Sequence, residues 1–313
     1  MEGVEEYVSG CIQLAILLEV SAYPKPGNVH RTANFERTRY EHFLASAIGV
    51  GHTLRVAASK GRLLSEGRVR LGDLHVGRLI KDSVSSMLNW QRGGNTILGT
   101  LILTIPISIA AGYVWSRRSP DASKLRRTLS KITHSTTSVD SVEVCDAIRM
   151  SRAGGLGLVD RFDVTTDTGR REILDSEIPL IELFHLSSSY DSIASEWVND
   201  FKITFEVGYP YLISRLEETG DYNIATVDTF LKILSTLPDT LIARKAGEDV
   251  AREISYSAGE ILSLGGLESP SGRRKLHELD LKLRLSGNRL NPGATADLTA
   301  SSLAIALLQG FRP

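Results

Sequence analysis

A chain of 313 residues with 42% hydrophobic and 23% charged side chains has the composition of a folded globular protein, which excludes a disordered or fibrous one. Lys plus Arg (36) nearly cancels Asp plus Glu (37), so the net charge of −1 gives no electrostatic footprint for nucleic acid or an anionic membrane, and neither is expected as a partner. Cys11 and Cys145 are too few for a disulfide framework or a thiolate metal site, and Met1-Glu2-Gly3-Val4-Glu5-Glu6 lacks the features of a secretory signal; both point to a reducing cytoplasm.

Val8, Ile12, Ala15, Ile16 and Val20 have the spacing of an amphipathic helix over residues 4–20, with Glu19 near its end. Tyr23-Pro24-Lys25-Pro26-Gly27-Asn28 stops it. Prolines on both sides of Lys25 stiffen the backbone, which suits an ammonium aimed at a phosphate and equally a solvated lysine in a proline turn. Further helices are expected over 39–60 and 76–90.

Residues 97–115 run without a charge, long enough to cross a bilayer. The run stands alone, however, and contains Thr100, Thr104, Pro106 and Ser108, so it is expected as a buried central helix. Gly93-Gly94-Asn95-Thr96 opens it. Glycines ahead of unpaired helical amides make a phosphate cradle, with Asn95 and Thr96 adding polar contacts, although no Gly-Lys-Ser/Thr follows and an ordinary glycine turn fits as well.

Ser119-Pro120-Asp121 signals a helix to residue 133, and another is expected over 139–151. The latter carries Asp140, Glu143 and Asp146 on one face, which suits magnesium or plain solvent. Ala153-Gly154-Gly155-Leu156-Gly157 and residues 161–170 lack helical periodicity and read as a loop that covers a site. Helical patterns resume over 178–218, kinked or divided at Pro210, then over 224–234, 239–263 and 271–285.

Asp239 follows Pro238 at a helix start, with Arg244 and Lys245 soon after: a carboxylate for a metal and two anion-binding heads. The histidines lack paired His-x-x-x-His spacing, so zinc is not expected. Asn291-Pro292-Gly293-Ala294-Thr295-Ala296-Asp297 places a rigid turn and one carboxylate at the mouth of an apolar final helix, where Thr295 can cap the first amides and Asp297 meets the positive end of the dipole. No strand alternation occurs. The expected fold is all-α, a single compact domain over 1–313 with about eight to eleven helices around a buried apolar central helix.

Taken together, Glu19-Val20-Ser21-Ala22-Tyr23-Pro24-Lys25-Pro26-Gly27-Asn28, Gly93-Gly94-Asn95-Thr96-Ile97-Leu98-Gly99, Ala153-Gly154-Gly155-Leu156-Gly157, Asp239-Thr240 with Arg244, and Asn291-Pro292-Gly293-Ala294-Thr295-Ala296-Asp297 resemble the triphosphoribosyl-dephospho-CoA synthase family over nearly the whole chain, in a divergent branch of archaeal type. The resemblance implies an all-helical transferase that joins the triphosphoribosyl part of ATP to the ribose 2′-hydroxyl of 3′-dephospho-CoA and releases adenine, with Mg2+ on the triphosphate. Breaking the bond between ribose and adenine develops positive charge that carboxylates stabilise, and the incoming hydroxyl must lose a proton.

On that chemistry Glu19 and Asp297 are expected to be catalytic, Glu19 as base, with Asp239 and Asp297 as metal ligands. Lys25, Arg244 and Lys245 are expected to bind phosphates, with Gly93, Gly94, Asn95, Thr96 and Asn291 completing the ligand contacts. The partners are then small molecules, and a homo-oligomer is left open. A related nucleotide-dependent step in another cofactor pathway, or a nucleotide-binding protein without turnover, are the alternatives.

Overall fold

The computed structural model describes residues 3–115, 121–155 and 161–313. All regular elements there are helical: α1 (Val4–Ser21), α2 (Tyr40–Gly49), α3 (Gly51–Ser65), α4 (Val76–Trp90), α5 (Leu98–Val114), α6 (Ala122–His134), α7 (Ser138–Ser151), α8 (Asp167–Asp175), α9 (Leu180–Ser187), α10 (Ser192–Val198), α11 (Tyr209–Thr219), α12 (Tyr222–Thr236), α13 (Thr240–Ala246), α14 (Glu248–Ser263), α15 (Pro270–Arg284) and α16 (Gly293–Leu308).

These are sixteen α-helices, not the eight to eleven expected, because continuous periodicity hides breaks made by backbone and caps. The run over 239–263 divides at Gly247, whose φ of 103° is open to glycine but strained for other residues. The run over 178–218 divides where Asp191 accepts from the amides of Ile193 and Ala194 to start α10, and again at Asp200 and Phe201, both left-handed. The 39–60 run divides at Val50. Part of the segment read as loop, 161–170, instead enters α8, capped by Thr166. Ser119 and Pro120 of the α6 start signal lie outside the described residues; Asp121 caps that helix through the Lys124 amide, at 2.8 Å.

Two helices form the middle. α5 and α16 are buried on nearly all faces and pack against each other, with α1, α3, α4 and α6 around α5. The expectation of a buried central helix therefore holds for α5, and α16 is its equal. Further inside, several hydroxyls turn back onto their own helices, with Thr104 donating to the Thr100 carbonyl and Thr299 to that of Thr295, so burial leaves those hydroxyls satisfied. Pro106 has no amide to give the carbonyl of Ile102, and the indole of Trp197 donates to that carbonyl at 3.2 Å. Among the described residues no helix is long and apolar enough to cross a membrane.

A smaller apolar cluster is built by α12, α13, α14 and α15 around Phe230, Leu234, Ile254 and Leu276. α12 joins the two, since its Ala225 and Ile233 belong to the larger cluster. Ala22 of the 22–30 loop belongs to the smaller cluster, and Ala296 at the start of α16 packs against it, two of the places where the sequence suggested a site.

Candidate active site

The N-terminal ends of α5 and α16 meet. Asp297, in the second turn of α16, accepts through Oδ1 from both the backbone amide (2.8 Å) and the hydroxyl (2.5 Å) of Thr100 in the first turn of α5. A negative side chain thus satisfies an orphan amide at a helix start, which the dipole also favours. Oδ2 lies against Gly99, where an added Cβ would stand only 2.2 Å away. Close approach requires glycine at that point. Asp297 is enclosed by protein yet keeps some solvent contact. Desolvation, reinforced by the nearby Glu19 charge and opposed by Thr100, pushes its carboxyl up to about 7.

Asp239 is wholly inside. Its Oδ1 caps α13 through the amides of Leu241 (2.9 Å) and Ile242 (3.0 Å), and its Oδ2 accepts from the amide and hydroxyl of Thr295, both at 2.8 Å. The cap expected from Thr295 is therefore reversed: Thr295 lies inside α16 and donates. A carboxylate offers about four acceptor positions, and here four donors fill them. Asp239, expected at a metal, is committed to joining the starts of α13 and α16. Burial raises its pKa against those four hydrogen bonds.

Lys25 is fully buried and forms a very close ion pair with Glu19, itself 6% exposed. The proline turn folds the ammonium back onto α1, so in this conformation it faces Glu19 and not solvent. Burial pushes Glu19 up and Lys25 down, and their mutual attraction opposes both shifts. Around them the loop is pinned. The Gly27 amide donates to Asp280 at 2.8 Å, and Arg284 donates to the Asn28 carbonyl and to His30 Nε2. His30 Nε2 also lies 3.8 Å from Asp280; burial lowers the pKa of the ring, which the Asp280 contact opposes. Arg284 also pairs with Asp280 at 2.8 Å, and its Nη1 is buried without a partner among the described residues.

Arg244 and Lys245 lie in the last turn of α13. Arg244 pairs with Asp191 (3.0 Å) and donates to the Tyr190 carbonyl, while its Nε is buried without a partner among the described residues. Among the described residues Lys245 reaches the Asn288 carbonyl alone, at 3.5 Å, and burial lowers its pKa. Gly154 and Gly155 pack against these two side chains; Leu156 and Gly157 of that motif lie outside the described residues. Asn291 has a buried side-chain oxygen with no partner among the described residues.

The glycine loop before α5 is more closed than a cradle. Gln91 accepts from the Gly93 amide and donates to the Gly94 carbonyl (2.7 Å), Asn95 caps Leu98 (3.1 Å), and Thr96 shares a hydrogen bond with Ser46 (2.7 Å). An added Cβ on Gly93 would strike His42. The loop positions Gly99 and Thr100 and spends much of its own polar capacity doing so. Asp140 likewise caps α7 and binds the Gly77 amide, while Glu143 and Asp146 pair with Lys81. Among the described residues no group of three or more His, Cys, Asp or Glu side chains could hold a metal.

The structure thus brings Glu19, Lys25, Asp239, Arg244, Lys245, Asn291 and Asp297 to one region. It adds Thr100, Gly99 and Arg284, which sequence reasoning passed over. Of the two carboxylates expected at magnesium, Asp239 is saturated and does not fit. Asp297 Oδ2 and the unpartnered oxygen of Asn291 remain as acceptors, which suits a cation held mainly by phosphates and water.

The sequence profile of the ATP:dephospho-CoA triphosphoribosyl transferase family matches residues 5–312. A Pseudomonas fluorescens protein named as a probable 2-(5''-triphosphoribosyl)-3'-dephosphocoenzyme-A synthase is 29% identical over 297 residues, 93% of this chain and 87% of that one. A protein of the same name from Pseudomonas syringae pv. tomato is 39% identical over 294 residues, with 93% and 87% covered. Among solved structures, a candidate triphosphoribosyl-dephospho-CoA synthase from Archaeoglobus fulgidus superposes with a TM-score of 0.62 at 25% identity, covering 86% of this chain and 100% of the other.

Proposed function

Because the chain belongs to the ATP:dephospho-CoA triphosphoribosyl transferase family, we propose that its carboxylate site carries out that transfer, with Asp297 as the base. The reaction moves the triphosphoribosyl group of ATP to the 2′-hydroxyl of 3′-dephospho-CoA. The bond from ribose C1′ to adenine breaks, a bond from C1′ to the acceptor oxygen forms, the hydroxyl proton passes to the base, and adenine leaves after taking a proton from solvent.

The observation that carries the assignment is the state of Asp297. It has one oxygen fixed by Thr100, a second beside solvent-reached Gly99, and a pKa pushed up to about 7, near the value that serves a base at neutral pH. Glu19, expected as base, is occupied by Lys25; its charge instead lies close enough to stabilise the positive ribose as the sugar bond breaks. Arg244 and Lys245 bind the triphosphate, and Lys25 acts through Glu19. Magnesium would be held by the triphosphate together with Asp297 Oδ2 or the Asn291 oxygen, where it would neutralise phosphate charge.

The test is incubation of the protein with ATP, Mg2+ and dephospho-CoA, followed by chromatography and mass analysis. Free adenine and a CoA product heavier by a triphosphoribosyl group are expected in equal amounts. ATP binding without either product would overturn the reading.

A further inference from the structure

We propose that Asp191 is a charge filter that makes the triphosphate site select the magnesium-loaded form over the metal-free one. The proposal rests on the reading above that Arg244 and Lys245 bind the triphosphate. Asp191 lies in the turn between α9 and α10, a carboxylate that the transfer reading leaves without a task.

Its two oxygens have separate duties. Oδ1 accepts from the amides of Ile193 (2.8 Å) and Ala194 (3.3 Å) at the start of α10, and Oδ2 lies 3.0 Å from Nη1 of Arg244. The same Nη1 donates to the Tyr190 carbonyl at 3.1 Å. Both side chains keep contact with solvent, Asp191 at 28% and Arg244 at 20%. The turn is fastened to α13 a second time, because Thr240 accepts from the Ser192 amide at 3.1 Å and shares a hydrogen bond with the Ser192 hydroxyl at 3.0 Å. The carboxylate is therefore held by its cap and by its neighbour, and an arriving anion does not push it aside as it would a freely rotating surface acid.

Any phosphate that reaches Arg244 meets this carboxylate. Asp191 offsets the charge of Arg244, which leaves the Lys245 ammonium, in contact with the Asn288 carbonyl at 3.5 Å, as the uncompensated cation of α13. That is less positive charge than a metal-free triphosphate needs, and Asp191 repels such an anion at short range in a half-buried setting that solvent screens weakly. Mg2+ on the triphosphate reverses the sign of the interaction: it cancels phosphate charge and offers Asp191 Oδ2 a cation.

Asn and Ser also cap helices, so Asp191→Asn and Asp191→Ser remove the charge and keep the start of α10. Calorimetry with inorganic tripolyphosphate, once with EDTA and once with excess Mg2+, reads the filter without requiring turnover. The parent should bind the magnesium form at least about tenfold more tightly than the metal-free form. In both variants that preference should shrink to about threefold or less, through tighter binding of the metal-free form. No preference in the parent would overturn the filter. So would a preference that survives in both variants, including an equal gain for the two forms, which is what loss of a merely competing ion pair gives. The underlying readings fail separately. Binding of neither form by the parent overturns the phosphate role of Arg244 and Lys245, and the filter with it. Binding of ATP without adenine release in the presence of dephospho-CoA overturns the transfer, and the calorimetry still decides the filter.

Discussion

Asp239 and Asp297 are both carboxylates surrounded by protein, and each satisfies amides at the start of a helix other than the one it is nearest in sequence, α16 for Asp239 and α5 for Asp297. Asp239 also caps its own helix and receives four donors on two oxygens. Asp297 receives two donors, both on Oδ1, and keeps solvent contact. The difference lies in what is left over. A saturated carboxylate acts as a rivet between α13 and α16, whereas a half-satisfied one has an oxygen to offer a substrate proton or a cation.

The largest effect that this contrast predicts is from Asp297→Asn. Loss of the base should lower kcat by about 10³-fold with the melting temperature nearly unchanged. Asp239→Asn should behave in the opposite way, because an amide nitrogen turned toward Leu241, Ile242 or Thr295 meets a donor with a donor. Unfolding by urea should show a loss of about 2–3 kcal/mol, with the folded fraction still turning over. Should Asp239→Asn stop turnover while leaving the urea midpoint in place, the two roles would have to be exchanged.

Gly99→Ala sharpens the contrast from the helix that faces Asp297. A methyl there would approach Oδ2 to 2.2 Å, so the carboxylate must shift. A displacement of that order at a reacting group should lower kcat by about 100-fold, with ATP binding by calorimetry little changed. Wild-type kcat in Gly99→Ala would mean that Oδ2 has no place in the chemistry.

Much of this site was legible in the sequence as residue types and loop positions, and little of it as pairing. Glu19, Lys25, Asp239, Arg244, Asn291 and Asp297 announce themselves by turn and helix-start chemistry, and the structure gathers them. Local spacing could not reveal that Asp239 would meet Thr295 or that Asp297 would meet Thr100, since those contacts are made by tertiary packing of α13 on α16 and α5 on α16. Nor could it show that two prolines would turn Lys25 inward onto Glu19. Gly99 had a usable signal, a glycine between Leu98 and Thr100 at the start of a helix otherwise rich in large apolar residues. Arg284 had a fainter one, the polar repeat along α15 that continues through Asp280, His277 and Arg273. The helix count failed for a related reason: Gly247 and Asp191 break the chain without interrupting the apolar period that the eye follows.

The smallest effect expected is also the most specific. Thr100→Val removes the hydroxyl that donates to Asp297 Oδ1 and leaves the backbone amide in place. Those hydrogen bonds favour the charged carboxylate, so losing one raises a pKa that burial has already pushed up to about 7. A base must be ionised to work, so kcat/KM of the parent should rise with pH through about 7 and level off above it. In Thr100→Val that rise should move to higher pH by about one unit, with the plateau kept. Stability should run the other way. A carboxyl with a folded pKa above its ordinary value contributes most at acid pH, and that contribution is lost as pH climbs from about 4 to about 7, so the loss in Thr100→Val should extend to higher pH. A pH profile that stays in place while the plateau drops would make Thr100 a packing residue and leave the proton transfer to another group.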